Sequence, residues 1–168
     1  MRRSVMTRLV GTAVLVLSLS VGFSTTSAAA EETRTLNFPA NTACSFAVTI
    51  VVTGSNSVTN DFYDKNGNLS RMILAGTGPA YTFTNTNTGK TLSTPARGST
   101  RHVTVYPDGS VKIALTGHDL IILFPDADPA GPSTTLYNGR VVFTEDVDGV
   151  KTLLKVSGPS TDVCAAIS

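Results

Sequence analysis

After residue 30 the chain alternates apolar and polar side chains with a period of two, the signature of strands with one buried face. The pattern is plainest over residues 101–119, RHVTVYPDGSVKIALTGHD. Pro107 presets the first turn angle, Asp108 suits the second turn position, and Gly109 can adopt the left-handed conformation that closes a three-residue loop with a bulge. Such a turn pairs Tyr106 with Ser110. Counting outward sets Val105 opposite Val111, Val103 opposite Ile113 and Arg101 opposite Leu115, while the other face carries Thr104, Lys112, His102 and Ala114. One face is thus aliphatic and the other mostly polar. His118 shares the parity of Ala114 and Thr116, which places both histidines on the polar face unless a bulge at Gly117 flips the register.

Further strands are predicted over residues 33–38, 45–55, 58–63, 69–74, 81–88, 90–93, 134–144 and 150–156. An Asn66-Gly67 turn joins the third to the fourth, and an Asp148-Gly149 turn joins the last two. Residues 75–79 (AGTGP) and 125–133 (PDADPAGPS) break the pattern. Residues 120–124 (LIILF) are apolar at every position, so this strand is either covered on both faces or leaves one as a contact patch. Thr82, Thr84, Thr86 and Thr88 fall on one side of their strand and read as a wet outer face.

The turn glycines Gly67, Gly109 and Gly149 lie about forty residues apart, each followed by a second glycine at Gly76, Gly117 or Gly158, a weak internal period. Residues 161–167 read as one helical turn carrying Cys164, and no longer helical period is present after residue 30. The expectation is an all-β fold: a single antiparallel β-barrel of about 8 to 10 strands, with a β-sandwich as the alternative. Consecutive hairpins give an up-and-down order, and closure removes the sheet edges.

Residues 1–30 change the picture of where the fold begins. Arg2, Arg3 and Arg8 make a basic start, residues 9–23 are apolar but too short to span a bilayer comfortably, and Ser27-Ala28-Ala29-Ala30 offers small cleavage positions. This reads as a secretory signal peptide. Arg2-Arg3 also suits a twin-arginine signal, but Val5 and Met6 match only part of what normally follows, so the general route is preferred. Residues 31–168 are expected to form one secreted domain with no membrane attachment after cleavage, acting as a monomer. That part carries 10 basic and 12 acidic side chains, a formal charge of −2, which leaves no electrostatic footprint for nucleic acid or an anionic membrane. The only two cysteines, Cys44 and Cys164, sit near opposite ends of it, and export predicts a disulfide between them.

Candidate chemistry is sparse. There is no G-x-S-x-G elbow, and the predicted register separates His102 and His118 by about 13 Å along the strands, too far for a shared first shell of metal. Asp126 and Asp128, and again Glu145, Asp146 and Asp148, offer hard oxygen ligands of the sort calcium takes, but without the spacing of a calcium loop. No metal and no cofactor is assigned.

Residues 131–143 (GPSTTLYNGRVVF), taken with residues 120–124 and with Asp162-Val163-Cys164-Ala165-Ala166, resemble small exported proteins of unknown function from actinomycete-type bacteria. That resemblance implies export and a single domain, and brings no catalytic residues.

The leading expectation is a non-enzymatic binding module for a small apolar or amphipathic molecule or an extracellular protein, with Phe124, Asp126, Asp128, Tyr137 and Arg140 forming the site at the end bearing residues 125–133. An alternative from a different class is a barrel enzyme, an isomerase or cyclase, with His118, Asp119 and Arg101 as polar groups in the lumen. A third is a cell-surface structural protein, which requires no pocket and an exposed apolar strand.

Overall fold

A computed structural model describes residues 32–168, so the expected signal segment lies outside the described residues. The chain is all-β and antiparallel, as the alternation predicts. Among the described residues there are eleven strands: β1 (Thr33–Phe38), β2 (Val48–Thr53), β3 (Asn56–Tyr63), β4 (Leu69–Thr77), β5 (Ala80–Asn85), β6 (Thr91–Thr94), β7 (Gly98–Val105), β8 (Val111–Leu123), β9 (Ser133–Glu145), β10 (Lys151–Ser157) and β11 (Ser160–Asp162). One helical turn, α1 (Val163–Ala166), follows. The strands divide between a small sheet ordered β1-β2-β5-β6 and a large one ordered β10-β9-β8-β7-β4-β3, with β11 added to β9. Neither ladder closes on itself among the described residues.

The β7–β8 register follows from its turn. Tyr106 N–H donates to the Ser110 carbonyl and Gly109 N–H to the Tyr106 carbonyl, which sets Val105 opposite Val111, Val103 opposite Ile113 and Arg101 opposite Leu115. Val103, Ile113 and Leu115 are buried on the aliphatic face and His102 is exposed on the other. Residues 120–124 do not form a strand of their own. Residues 120–123 continue β8, which runs unbroken through Gly117 and pairs with β9 along its whole length, and Phe124 follows its end.

This long hairpin is bent. Leu123 pairs with Ser133 at one end and Lys112 with Thr144 near the other, and Thr144 pairs in turn with Thr152 of β10. Asp128, just beyond Leu123, bridges Thr152, donating its N–H to the Lys151 carbonyl and accepting from Leu153 N–H. A straight β8 would hold Leu123 roughly 36 Å from Lys112. The segment from Leu123 to Asp128 reaches at most ~18 Å, so the far half of the hairpin must fold back over the near half.

Glycine makes the crease. Gly76 stands opposite Ser99, Ser99 opposite Gly117, and Gly117 opposite Gly139, in one row across four strands. A Cβ at Gly76 would overlap the Asn56 carbonyl, at Gly117 the Gly98 carbonyl, and at Gly139 the Ser157 carbonyl, so this close approach is open only to residues without a side chain.

The crease creates two cores. On its inner face Ile121, Leu123 and Ala127 join Val103, Ile113, Leu115, Val141 and Phe143. On the outer face of the far half, Leu120, Ile122 and Leu136 pack against Val48, Ile50 and Phe83 of the small sheet. The apolar run is therefore covered on both sides, the first of its two expected readings. Cys44 and Cys164 form the expected disulfide, with their Cα atoms 5.6 Å apart, and it ties α1, through buried Val163 and Ile167, to the second core. Asp162 caps that turn by accepting from Ala165 N–H at 3.0 Å. Among the described residues no helix is long and apolar enough to cross a membrane.

Candidate functional site

Asp119 lies on the inner face of β8, two residues past Gly117 and so just beyond the crease. The register that pairs Ser99 with Gly117 sets Ser99 diagonally across from it, and Ser99 Oγ donates to Asp119 Oδ1 at 2.6 Å. Asp119 is only 8 % exposed, and its Oδ2 is buried with no hydrogen-bond partner among the described residues. The carboxyl borders a cavity of about 180 Å³ whose wall also includes Leu74, Pro79, Tyr81, Ser99, Arg101 and His118. Gly76 belongs to the same wall, so the row that bends the sheet also makes the space.

Burial dominates the electrostatics. It raises the Asp119 carboxyl above its ordinary value, opposed by the Ser99 hydrogen bond and by the charges of Arg101 and His118. Tyr81 is raised as well, first by burial and then by the Asp119 charge. His118 is lowered, first by burial and then by Arg97, with Asp119 acting the other way. His118 is 9 % exposed, and neither ring nitrogen has a partner among the described residues. A carboxyl that resists ionisation and an imidazole that resists protonation are therefore neighbours in β8, on opposite faces of the strand, and both residues border the cavity.

Arg101, His118 and Asp119, the residues of the enzymatic alternative, line one cavity. His102 and Arg140 are exposed instead. The five residues expected to form a site around the loop do not converge. Phe124 packs its ring 6.1 Å from that of Phe38 and lies under Lys151 Nζ at 6.0 Å. Asp126 is exposed, and Asp128 uses its backbone to hold the loop on β10. Tyr137 and Arg140 are three residues apart on β9 and so point to opposite faces. Tyr137 packs at the margin of the inner core and borders another cavity, while Arg140 sits exposed opposite Thr116.

The loop carboxylates do not gather with other ligands: among the described residues no group of three or more metal-ligating side chains forms. Asp146 accepts instead from Asp148 N–H at 3.0 Å and Val150 N–H at 2.9 Å within its turn. Sequence reasoning passed over Ser99 and Tyr81. Carrying the hairpin register two residues beyond Arg101 would have set Ser99 opposite Gly117 and beside Asp119. Tyr81 belongs to the other sheet, which no local pattern places there.

Compared with protein-family models, with curated proteins and with solved structures, the chain has no match.

Proposed function

We propose that the protein is a secreted, monomeric, non-enzymatic binding module that takes the polar end of a small amphipathic molecule in the Asp119 cavity. One observation carries this reading: Asp119, a residue of the cavity wall, is a buried carboxyl whose Oδ2 has no hydrogen-bond partner among the described residues. An unpartnered buried acceptor costs stability and does nothing for packing, whereas a ligand hydroxyl or amine would satisfy it. Leu74, Pro79 and the Tyr81 ring supply apolar contact beside it. At about 180 Å³ the cavity is smaller than the ~300–1,000 Å³ of sites that enclose a drug-sized molecule, so it suits one end of a ligand rather than the whole. Export is supported by the Cys44–Cys164 disulfide, which persists in oxidising compartments. The resemblance to exported actinomycete proteins belongs to the same proposal.

A fragment screen read by amide chemical shifts tests it. Fragments joining a hydroxyl or amine to a small apolar ring should shift Ser99, Asp119 and Tyr81 saturably, and Asp119→Leu should weaken them at least tenfold. Hits that cluster elsewhere, or that bind Asp119→Leu equally well, would remove the proposal.

The pairing of a raised Asp119 with a lowered His118 favours a second reading, a proton-transferring isomerase or cyclase with Arg101 at the rim. It is separated from the first by Asp119→Asn, which under that reading retains fragment binding but abolishes turnover of whatever substrate the hits reveal.

A further inference from the structure

A second cavity, of about 250 Å³, lies beside His118 and is bordered by Arg97, Tyr137, Asn138, Ser160 and Thr161 as well. Its position follows from the ladders. His118 stands opposite Asn138 across β8 and β9, and β11 brings Ser160 opposite Tyr137. Asn138 N–H donates to the Pro159 carbonyl at 2.9 Å, which fixes the approach to β11 against β9. The wall is rich in donors: the Arg97 guanidinium, the Asn138 amide, the hydroxyls of Tyr137, Ser160 and Thr161, and the imidazole of His118. Among the described residues no carboxylate borders it. His118 is more than nine-tenths buried with both nitrogens unpartnered among the described residues, so a buried donor is on offer that the protein itself does not use.

We propose that this cavity binds a small oxyanion, a carboxylate or phosphate group, held by Arg97 as the charged partner and by His118 and Asn138 as hydrogen-bond donors. The first cavity disfavours such a ligand because Asp119 borders it, whereas Arg97 and no carboxylate border the second among the described residues. The groups around His118 on each neighbouring element are Arg97 before β7, Asp119 beside it on β8, Tyr137 on β9, and Arg101 across the first cavity. Of these, Arg97 opposes protonation of the ring, and an anion seated on Arg97 would lift that opposition. Binding should therefore raise the midpoint of the ring and tighten as pH falls through it.

The test is an NMR titration of the protein with inorganic phosphate and, separately, with acetate, each against sodium chloride of matched ionic strength. The expected result is saturable shifts at His118, Asn138 and Ser160, a higher midpoint for the His118 ring in the bound protein, and at least a tenfold loss of affinity in Arg97→Gln with partial rescue in Arg97→Lys. Exposed Lys155→Gln serves as the control and should bind as the parent does. Saturation by phosphate alone, or by acetate alone, assigns the anion. Shifts that grow without saturation with both salts, or equal affinity in Arg97→Gln, would overturn the proposal. Fragment binding in the first cavity is read at Ser99 and Tyr81, so either site can fail without the other.

Discussion

Burial raises the Asp119 carboxyl while local hydrogen bonds lower two exposed aspartates: Asp64, which accepts from Asn68 and Asn66 N–H, and Asp108, which accepts from the Ser110 hydroxyl and N–H. The signs give opposite pH dependences. Asp119 keeps its proton to a higher pH in the folded state than in the unfolded chain, so its contribution is most favourable below the unfolded value and is lost as pH rises through the folded midpoint. Asp64 and Asp108 stabilise above the unfolded value, and that stabilisation is lost as pH falls through their lowered midpoints. Asp119→Asn retains an acceptor for Ser99 and carries no charge to bury. It should be more stable than the parent by about 1 kcal/mol at pH 7 in urea denaturation, and the gain should shrink toward pH 4. A gain independent of pH would mean that the carboxyl is solvated. None of this burial was legible at the residue scale. The parity argument read His118 correctly as sharing a face with Ala114, but the crease beside it at Gly117 lets that face be covered.

At the scale of elements, three hairpin turns repeat one geometry. Asp64 N–H donates to the Asn68 carbonyl and Gly67 N–H to the Asp64 carbonyl, and the same two bonds recur around Tyr106, Gly109 and Ser110 and around Asp146, Gly149 and Val150. The turn glycines have φ of 83°, 88° and 85°, as the sequence period suggested. Among the second glycines, Gly76 is the one that the sequence pattern misplaces. Gly76 looks like a strand breaker and Gly117 like a bulge, yet β4 and β8 run through them, because a glycine in a ladder can admit a neighbouring backbone as well as end a strand. Gly139 isolates this effect, since its backbone is not left-handed and the Ser157–Gly158 backbone stands in the way of a side chain. Gly139→Ala should cost at least ~2 kcal/mol by chemical denaturation. Gly89→Ala, at φ 75° with nothing within 4 Å of the added methyl, should cost only ~1 kcal/mol from backbone conformation. Equal losses would mean that the row is not a close-packed crease. β11 was also missed, being three residues long and polar throughout.

For the whole molecule, the features read from sequence were those with a local cause. The hairpin registers come from turn chemistry, and the disulfide follows from there being two cysteines in a chain read as exported. The order β1-β2-β5-β6, and its packing on the outer side of β8 and β9, joins residues far apart in sequence and left no trace in periodicity. The site depends on that non-local part, because Tyr81 reaches the cavity from the small sheet while Ser99, Arg101, His118 and Asp119 reach it from the large one. Folding the large sheet along its glycine row thus gives both the inner core and, beside it, a buried carboxyl that lacks a full set of partners among the described residues. A carbon-detected titration of the Asp119 carboxyl, free and with the best fragment bound, tests that assignment most directly. Asp119 should titrate above the ordinary aspartate range, with Asp64 and Asp108 below it, and ligand should move the Asp119 midpoint alone. An Asp119 that titrates together with Asp64 and does not respond to ligand would contradict the site.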